Sequence, residues 1–187
     1  DTLTSALPLH SAYQDRWVAI GLDSSELGNP PEKFRQVFKR CKDMGFRLVA
    51  HAGEEGPAEY VRGALDALQV ERIDHGVRSE DDPDLMQRII DEQIPLTICP
   101  LSNLKLGVVP DLARHNTARL LRRGVLVTIN SDDPSYFGGY LLDNYMACAE
   151  HLHMSFDELK TVARNSIRAS FLSEQEKQRI LGSERWQ

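Results

Sequence analysis

Short runs of apolar and β-branched residues alternate along the chain with stretches in which apolar side chains recur every three or four positions. The first run, Trp17-Val18-Ala19-Ile20-Gly21-Leu22, closes at Asp23. Past the turn-forming Gly28-Asn29-Pro30-Pro31, Phe34, Val37, Phe38 and Cys41 share one face of a helix predicted from about Glu32 to Met44, with Gly45 as its stop. The second run, Phe46 to Ala50, closes at His51, and Pro57 opens a helix that groups Tyr60, Val61, Ala64, Leu65 and Leu68. A third, Arg72-Ile73-Asp74, ends at His75-Gly76 before a helix around Asp84–Glu92. The fourth, Pro95 to Cys99, ends at Pro100 and precedes a helix around Asp111–Arg123 that Gly124 stops. The fifth, Val125 to Ile129, gives way to Asn130-Ser131-Asp132-Asp133-Pro134. The remaining pattern is helical: Leu141–His151, then Phe156–Ala169 behind a Ser155/Glu158 capping box, then a short helix behind Ser173 and Glu176.

Strand and helix alternating at this spacing predict βαβ units and a parallel sheet. Right-handed crossovers place every strand's C-terminal end on one side. No Gly-rich phosphate turn follows the first run, which argues against a doubly wound nucleotide-binding sheet. The barrel alternative builds its active site from the loops at the strand C-termini.

Composition narrows the function classes. The 187 residues carry 22 Lys plus Arg against 28 Asp plus Glu, a net charge of −6, which disfavours binding to nucleic acid. Hydrophobic residues make up 41%, enough for a core and too many for intrinsic disorder. Cys41, Cys99 and Cys148 are widely spaced and odd in number, so a disulfide framework or cysteine zinc site is not expected and a reducing cytoplasm is. No apolar run is long enough to span a membrane, and no signal peptide is visible at the start.

The polar residues with chemical capability gather where the strands end: His51 and Glu54 after the second, His75 after the third, Ser102 and Asn103 after the fourth, Asp132 and Asp133 after the fifth. Imidazoles and carboxylates are ligands for a borderline cation such as Zn2+. A carboxyl group beside such a site moves protons. Each residue alone has a plainer reading: a hydrogen-bonded histidine, a carboxylate at a helix N-terminus for Glu54, a turn or N-cap for Asp132-Asp133-Pro134. What the plain readings do not explain is that every one falls at the same end of a strand.

His51-Ala52-Gly53-Glu54, Ile73-Asp74-His75-Gly76, Cys99-Pro100-Leu101-Ser102-Asn103 and Asn130-Ser131-Asp132-Asp133-Pro134 resemble, in order and spacing, the adenosine/adenine deaminase family of metal-dependent amidohydrolases. The resemblance runs from about Asp15 to the C-terminus. Gly21 to Phe34 and Ser102 to Leu106 are most similar to the adenine deaminase branch. The resemblance implies hydrolytic deamination of adenine to hypoxanthine and ammonia, a purine salvage reaction, with one Zn2+ per active site and a small purine as the partner molecule. In it His51 and Asp132 correspond to metal ligands, Glu54 to the proton shuttle toward purine N1, and His75 to the histidine that orients the attacking water. Asp133 corresponds to the aspartate facing purine N7, while Asp23, Ser102 and Asn103 shape the loops. The cysteine-ligated nucleobase deaminases carry a P-C-x-x-C signature, which this chain lacks.

The family's other two zinc ligands form a His-x-His motif on the first barrel strand. The chain's His-x-His, His151-Leu152-His153, ends a helix after the fifth strand and is a poor substitute. His10 and His115 read as structural or solvated. The expected fold is therefore α/β: the C-terminal five βα units of a TIM (β/α)8 barrel plus C-terminal helices. They would form one domain, residues 1–187, without the first three units, since a whole barrel takes about 250 residues. The absence of an initiator Met fits this. A missing N-terminal segment or a complementing chain is expected. Two further readings stay open: a deaminase of adenosine or an N6-substituted adenine, and an inactive purine-binding or scaffold protein.

Overall fold

A computed structural model describes residues 2–13 and 16–183; the ends of the expected domain and Asp15, where the resemblance starts, lie outside them. Helix α1 (Thr2–Ala12) precedes strand β1 (Ala19–Leu22). There follow α2 (Arg35–Asp43), β2 (Arg47–Ala52), α3 (Ala58–Gly63), β3 (Arg72–His75), α4 (Pro83–Asp91) and β4 (Leu96–Ile98). Next come α5 (Pro100–Lys105), α6 (Thr117–Arg122) and β5 (Val127–Ile129), and the chain continues through α7 (Pro134–Phe137), α8 (Leu141–His151), α9 (Phe156–Arg168) and α10 (Glu174–Leu181).

The five strands form one parallel sheet in the order β1-β2-β3-β4-β5. Sequential order throughout is the arrangement of a barrel wall; a doubly wound sheet reverses direction at a switch point. Alternation along each strand sorts the two faces. Leu48, Ala50, Ile73, Leu96 and Ile98 face the helices and join Phe38, Cys41, Val61, Leu85, Met86 and Ile89 in the main core. The opposite face turns His51, Arg72, Asp74, Thr97 and Thr128 into a concave space. A second cluster, with Ile129, Cys148, Met154 and Val162, seats α8 and α9 against β5.

Helix starts follow their caps. Asp82 accepts N–H bonds from Asp84 and Leu85 at the start of α4, and Pro83 needs no donor partner there. Ser155 and Glu158 close the predicted capping box of α9, as Ser173 and Glu176 do for α10.

One predicted helix differs. Residues 111–123 form a 3-10 turn (Leu112–Arg114), an extended His115, and only then α6. The break exists because the buried His115 imidazole takes the Thr117 N–H and hydroxyl at its Nδ1, which a continuous helix would not permit. Helices α1, α5 and α7 were not anticipated by the hydrophobic pattern.

Candidate active site

His51 is the fifth residue of β2 and His75 the last of β3, so both lie inside strands at their C-terminal ends. Their ring centroids are 4.8 Å apart. His75 (φ 64°) and Asp132 (φ 56°) both adopt the left-handed region. That conformation costs a non-glycine residue on the order of 1 kcal/mol and turns these side chains away from the strand alternation. Asp132 Oδ2 lies 3.8 Å from His75 Nε2 and accepts the Ser102 hydroxyl at 2.7 Å.

Asn103, fully buried on α5, links the rest. Its Nδ2 donates to Glu54 Oε1 at 2.7 Å and lies 3.1 Å from His75 Nδ1, while its Oδ1 is 3.1 Å from His115 Nε2. The donors and acceptors close consistently. Thr117 donates to His115 Nδ1, so His115 carries its proton on Nε2 and gives it to Asn103 Oδ1. The Asn103 amide is thereby oriented with its NH2 toward Glu54 and His75. His75 then accepts at Nδ1 and presents Nε2–H toward Asp132.

Electrostatics separate the acid from the base. Burial, reinforced by the nearby charges of Asp132, Glu26 and Glu55, pushes the Glu54 carboxyl up to about 7 against the opposing Asn103 hydrogen bond. Burial and the neighbouring His51 push His75 down to about 4, against the pull of Asp132 and Asp74. Near neutrality the pair, 3.2 Å apart, is a carboxyl group at its half-proton point beside a neutral imidazole.

A cation has donors here. His51 Nδ1 sits 3.2 Å from the Leu22 carbonyl, which makes Nδ1–H the donor and leaves the Nε2 lone pair for a metal. With the Asp132 carboxylate this gives one nitrogen and one oxygen ligand of the kinds a divalent cation prefers. Among the described residues, His75, Cys99 and Asp132 also place donor atoms within 4.8 Å of one another. Cys99 is the weak member: burial and the charges of Asp132, Glu54 and Asp74 push its thiol strongly up, and its Sγ–H points to the Thr97 carbonyl. A concavity of about 360 Å³ opens on His51, His75, Cys99 and Asp132, and a second of about 190 Å³ lies between His51 and residues 22–26.

The structure thus gathers His51, Glu54, His75, Asp132, Ser102 and Asn103. Asp133 stands apart, exposed, with no side-chain bond to the α7 N-terminus it precedes. His151 and His153 are exposed at the end of α8, and His10 packs on Phe46 and Trp17. The sequence places Asn103 among the loop-shaping residues and His115 as structural or solvated; the structure sets Asn103 in contact with Glu54, His75 and His115, and buries His115. No role is read from the sequence for Glu26, a buried carboxylate within the Gly21–Phe34 stretch that resembles the adenine deaminase branch.

The sequence model of the adenosine deaminase family matches residues 3–184. An adenine deaminase of Acinetobacter baylyi is 61% identical over 177 residues, 95% of this chain and 52% of that protein. The crystal structure of an adenine deaminase from Arthrobacter aurescens superimposes with a TM-score of 0.90 at 49% identity, covering 95% of this chain and 54% of that one. An amidohydrolase from Burkholderia ambifaria with bound Zn gives 0.88 at 28% identity, over 97% of this chain and 51% of that one. The chain spans about half the length of the relatives it matches.

Proposed function

The chain belongs to the adenosine deaminase family, and on that premise we propose that it carries the acid–base half of a zinc-dependent adenine deaminase active site. The observation that carries this reading is the Glu54–His75 pair: a carboxyl poised to give and take a proton at neutral pH, 3.2 Å from an imidazole held neutral. Hydrolysis of a 6-aminopurine needs that pairing, because the ring must gain a proton at N1 as water adds to C6, and ammonia must leave protonated.

In this reading Glu54 delivers the proton to N1, and Asn103 holds its Oε1 in place. His75 orients the attacking water through Nε2. Asp133 meets N7 from the mouth of the site, where its exposure leaves it free to turn toward a ligand. His51 and Asp132 would hold the zinc ion, which would supply Lewis acidity and lower the pKa of water toward neutrality. Two donors are one fewer than the three protein ligands usual in catalytic zinc sites. We therefore propose that a His-x-His segment on further βα units, in the same protein or a complementing chain, completes the set, and that the protein works in cytoplasmic purine salvage.

The test is turnover by zinc-loaded protein expressed from its complete reading frame. Adenine should be converted to hypoxanthine with release of ammonia, and adenosine at least 100-fold more slowly. Preference for adenosine or an N6-substituted adenine would move the assignment within the family. No turnover of any 6-aminopurine by zinc-replete protein would sink it.

A further inference from the structure

Glu26 lies in the loop after β1, is only 8% exposed, and borders the smaller concavity beside His51. Its carboxylate receives four consecutive backbone N–H groups from the loop after β2. Gly53 donates to Oε1, and Glu54, Glu55 and Gly56 donate to Oε2 at 3.0, 2.9 and 2.9 Å. Successive N–H groups converging on one anion form a nest, and charge-assisted bonds of this kind are about twice as strong as neutral ones. The loop is shaped around that carboxylate. Gly53 takes φ +72°, and a Cβ there would come within 2.6 Å of Val61. Gly56 is not in the left-handed region, yet a Cβ there would stand 2.7 Å from Glu26 Oε1, 2.9 Å from its carboxyl carbon and 2.7 Å from the Tyr60 ring. The anion, together with the Tyr60 ring, thus occupies the space that a side chain at 56 would need.

Glu54 is the second residue of this four-residue loop, held on one side by Glu26 through its backbone and on the other by Asn103 through its side chain. We propose that Glu26 is a positioning residue for Glu54: by binding the amides of residues 53–56 it locks the β2 loop to the β1 loop and fixes where the Glu54 carboxyl stands. This rests on the reading of Glu54 as the proton shuttle. A carboxylate without a reacting partner is then part of the machinery, because a shift of about 1 Å in a proton-transfer group costs on the order of 100-fold in rate.

The experiment uses protein from the complete reading frame, with adenine as substrate, and compares wild type, Glu26→Gln, Gly56→Ala, Glu54→Gln and the Glu26→Gln/Glu54→Gln pair. Glu26→Gln keeps the shape but puts an NH2 against backbone N–H groups. Gly56→Ala keeps the charge and crowds the carboxylate. Both should lower kcat about 10- to 100-fold with KM changed less than threefold, zinc content unchanged, and faster amide hydrogen exchange at residues 53–56. On the Glu54→Gln background, Glu26→Gln should cost less than twofold more, since there is no shuttle left to misplace. Additive losses, or kcat within twofold of wild type while exchange is accelerated, would overturn the positioning role. Unchanged exchange in both single variants would overturn the lock itself. If the wild type leaves adenine unchanged, the deaminase reading fails on that result alone, and the exchange comparison still decides whether Glu26 holds the loop.

Discussion

Glu54 holds a proton near neutrality because it is buried among carboxylates, and that placement costs stability. Its carboxyl is raised to about 7 from an ordinary 4.5. The unfolded chain therefore releases this proton earlier, and stability falls as pH rises from 4.5 through 7. Glu54→Gln should then abolish most adenine turnover, by 100-fold or more, and raise unfolding free energy at pH 8 by about 1–3 kcal/mol in urea titrations. A variant that is inactive and less stable would contradict this account. His115 acts at the other end of the pH scale. Burial, helped by Arg119, pushes its imidazole down to about 4 from 6.5, so the unfolded state binds the proton first. Stability gained above 6.5 is lost as pH falls toward 4. Urea midpoints should drop between pH 7 and 5, and His115→Gln should remove part of that slope, on the order of 2 kcal/mol at pH 5. A slope unchanged in the variant would place the acid sensitivity elsewhere, His75 being the other depressed imidazole. His51, His75 and Asp132 could be read from sequence because each ends a visible strand. Glu26, Asn103 and His115 could not be weighed there: each matters through a buried partner 12 to 49 positions away.

Among the elements, those with a local code were legible. The capping boxes at Ser155 and Ser173 appear where such residues place them. The helix expected across residues 111–123 fails for a nonlocal reason. His115 is drawn into the polar centre by Asn103, and tertiary demand overrides helical periodicity. Helix α5 was missed because Pro100 to Lys105 has too few residues to show a period, yet it carries both Ser102 and Asn103 into the site. Where local coding suffices, its removal should be local too. Ser155 Oγ accepts the Glu158 N–H at 3.2 Å, and Glu158 returns a bond to the Ser155 N–H at 2.8 Å. Ser155→Ala should lower stability by about 1 kcal/mol and leave kcat for adenine within a factor of two, since the box sits at the start of α9 while the α9 residue that lines the concavity, Ser166, lies near its other end. A large loss of kcat would show that α9 does more than buttress the sheet.

At the scale of the whole molecule, the sheet order and the ligand count point the same way. Among the described residues β1 pairs only with β2 and β5 only with β4, so both edges present unpaired backbone groups of the kind that proteins cover. The inner face between those edges is polar, with His51, Arg72, Asp74 and Asp132 around one concavity. A closed barrel would surround these groups; five strands leave them open on one side. The two cation donors proposed above, His51 and Asp132, stand on β2 and just past β5, far apart in sequence and brought to one concavity by the sheet. Affinity for zinc should then depend on what closes the sheet. The 187-residue chain expressed by itself should retain well under one zinc per chain after dialysis, because two protein ligands leave too much of the tetrahedral shell to water. Protein from the complete reading frame should retain about one, and His51→Ala should release it. Tight one-to-one zinc on the 187-residue chain alone would mean that His75 or Cys99 ligates after all. The water-orienting role argued for His75 would then have to pass to another group.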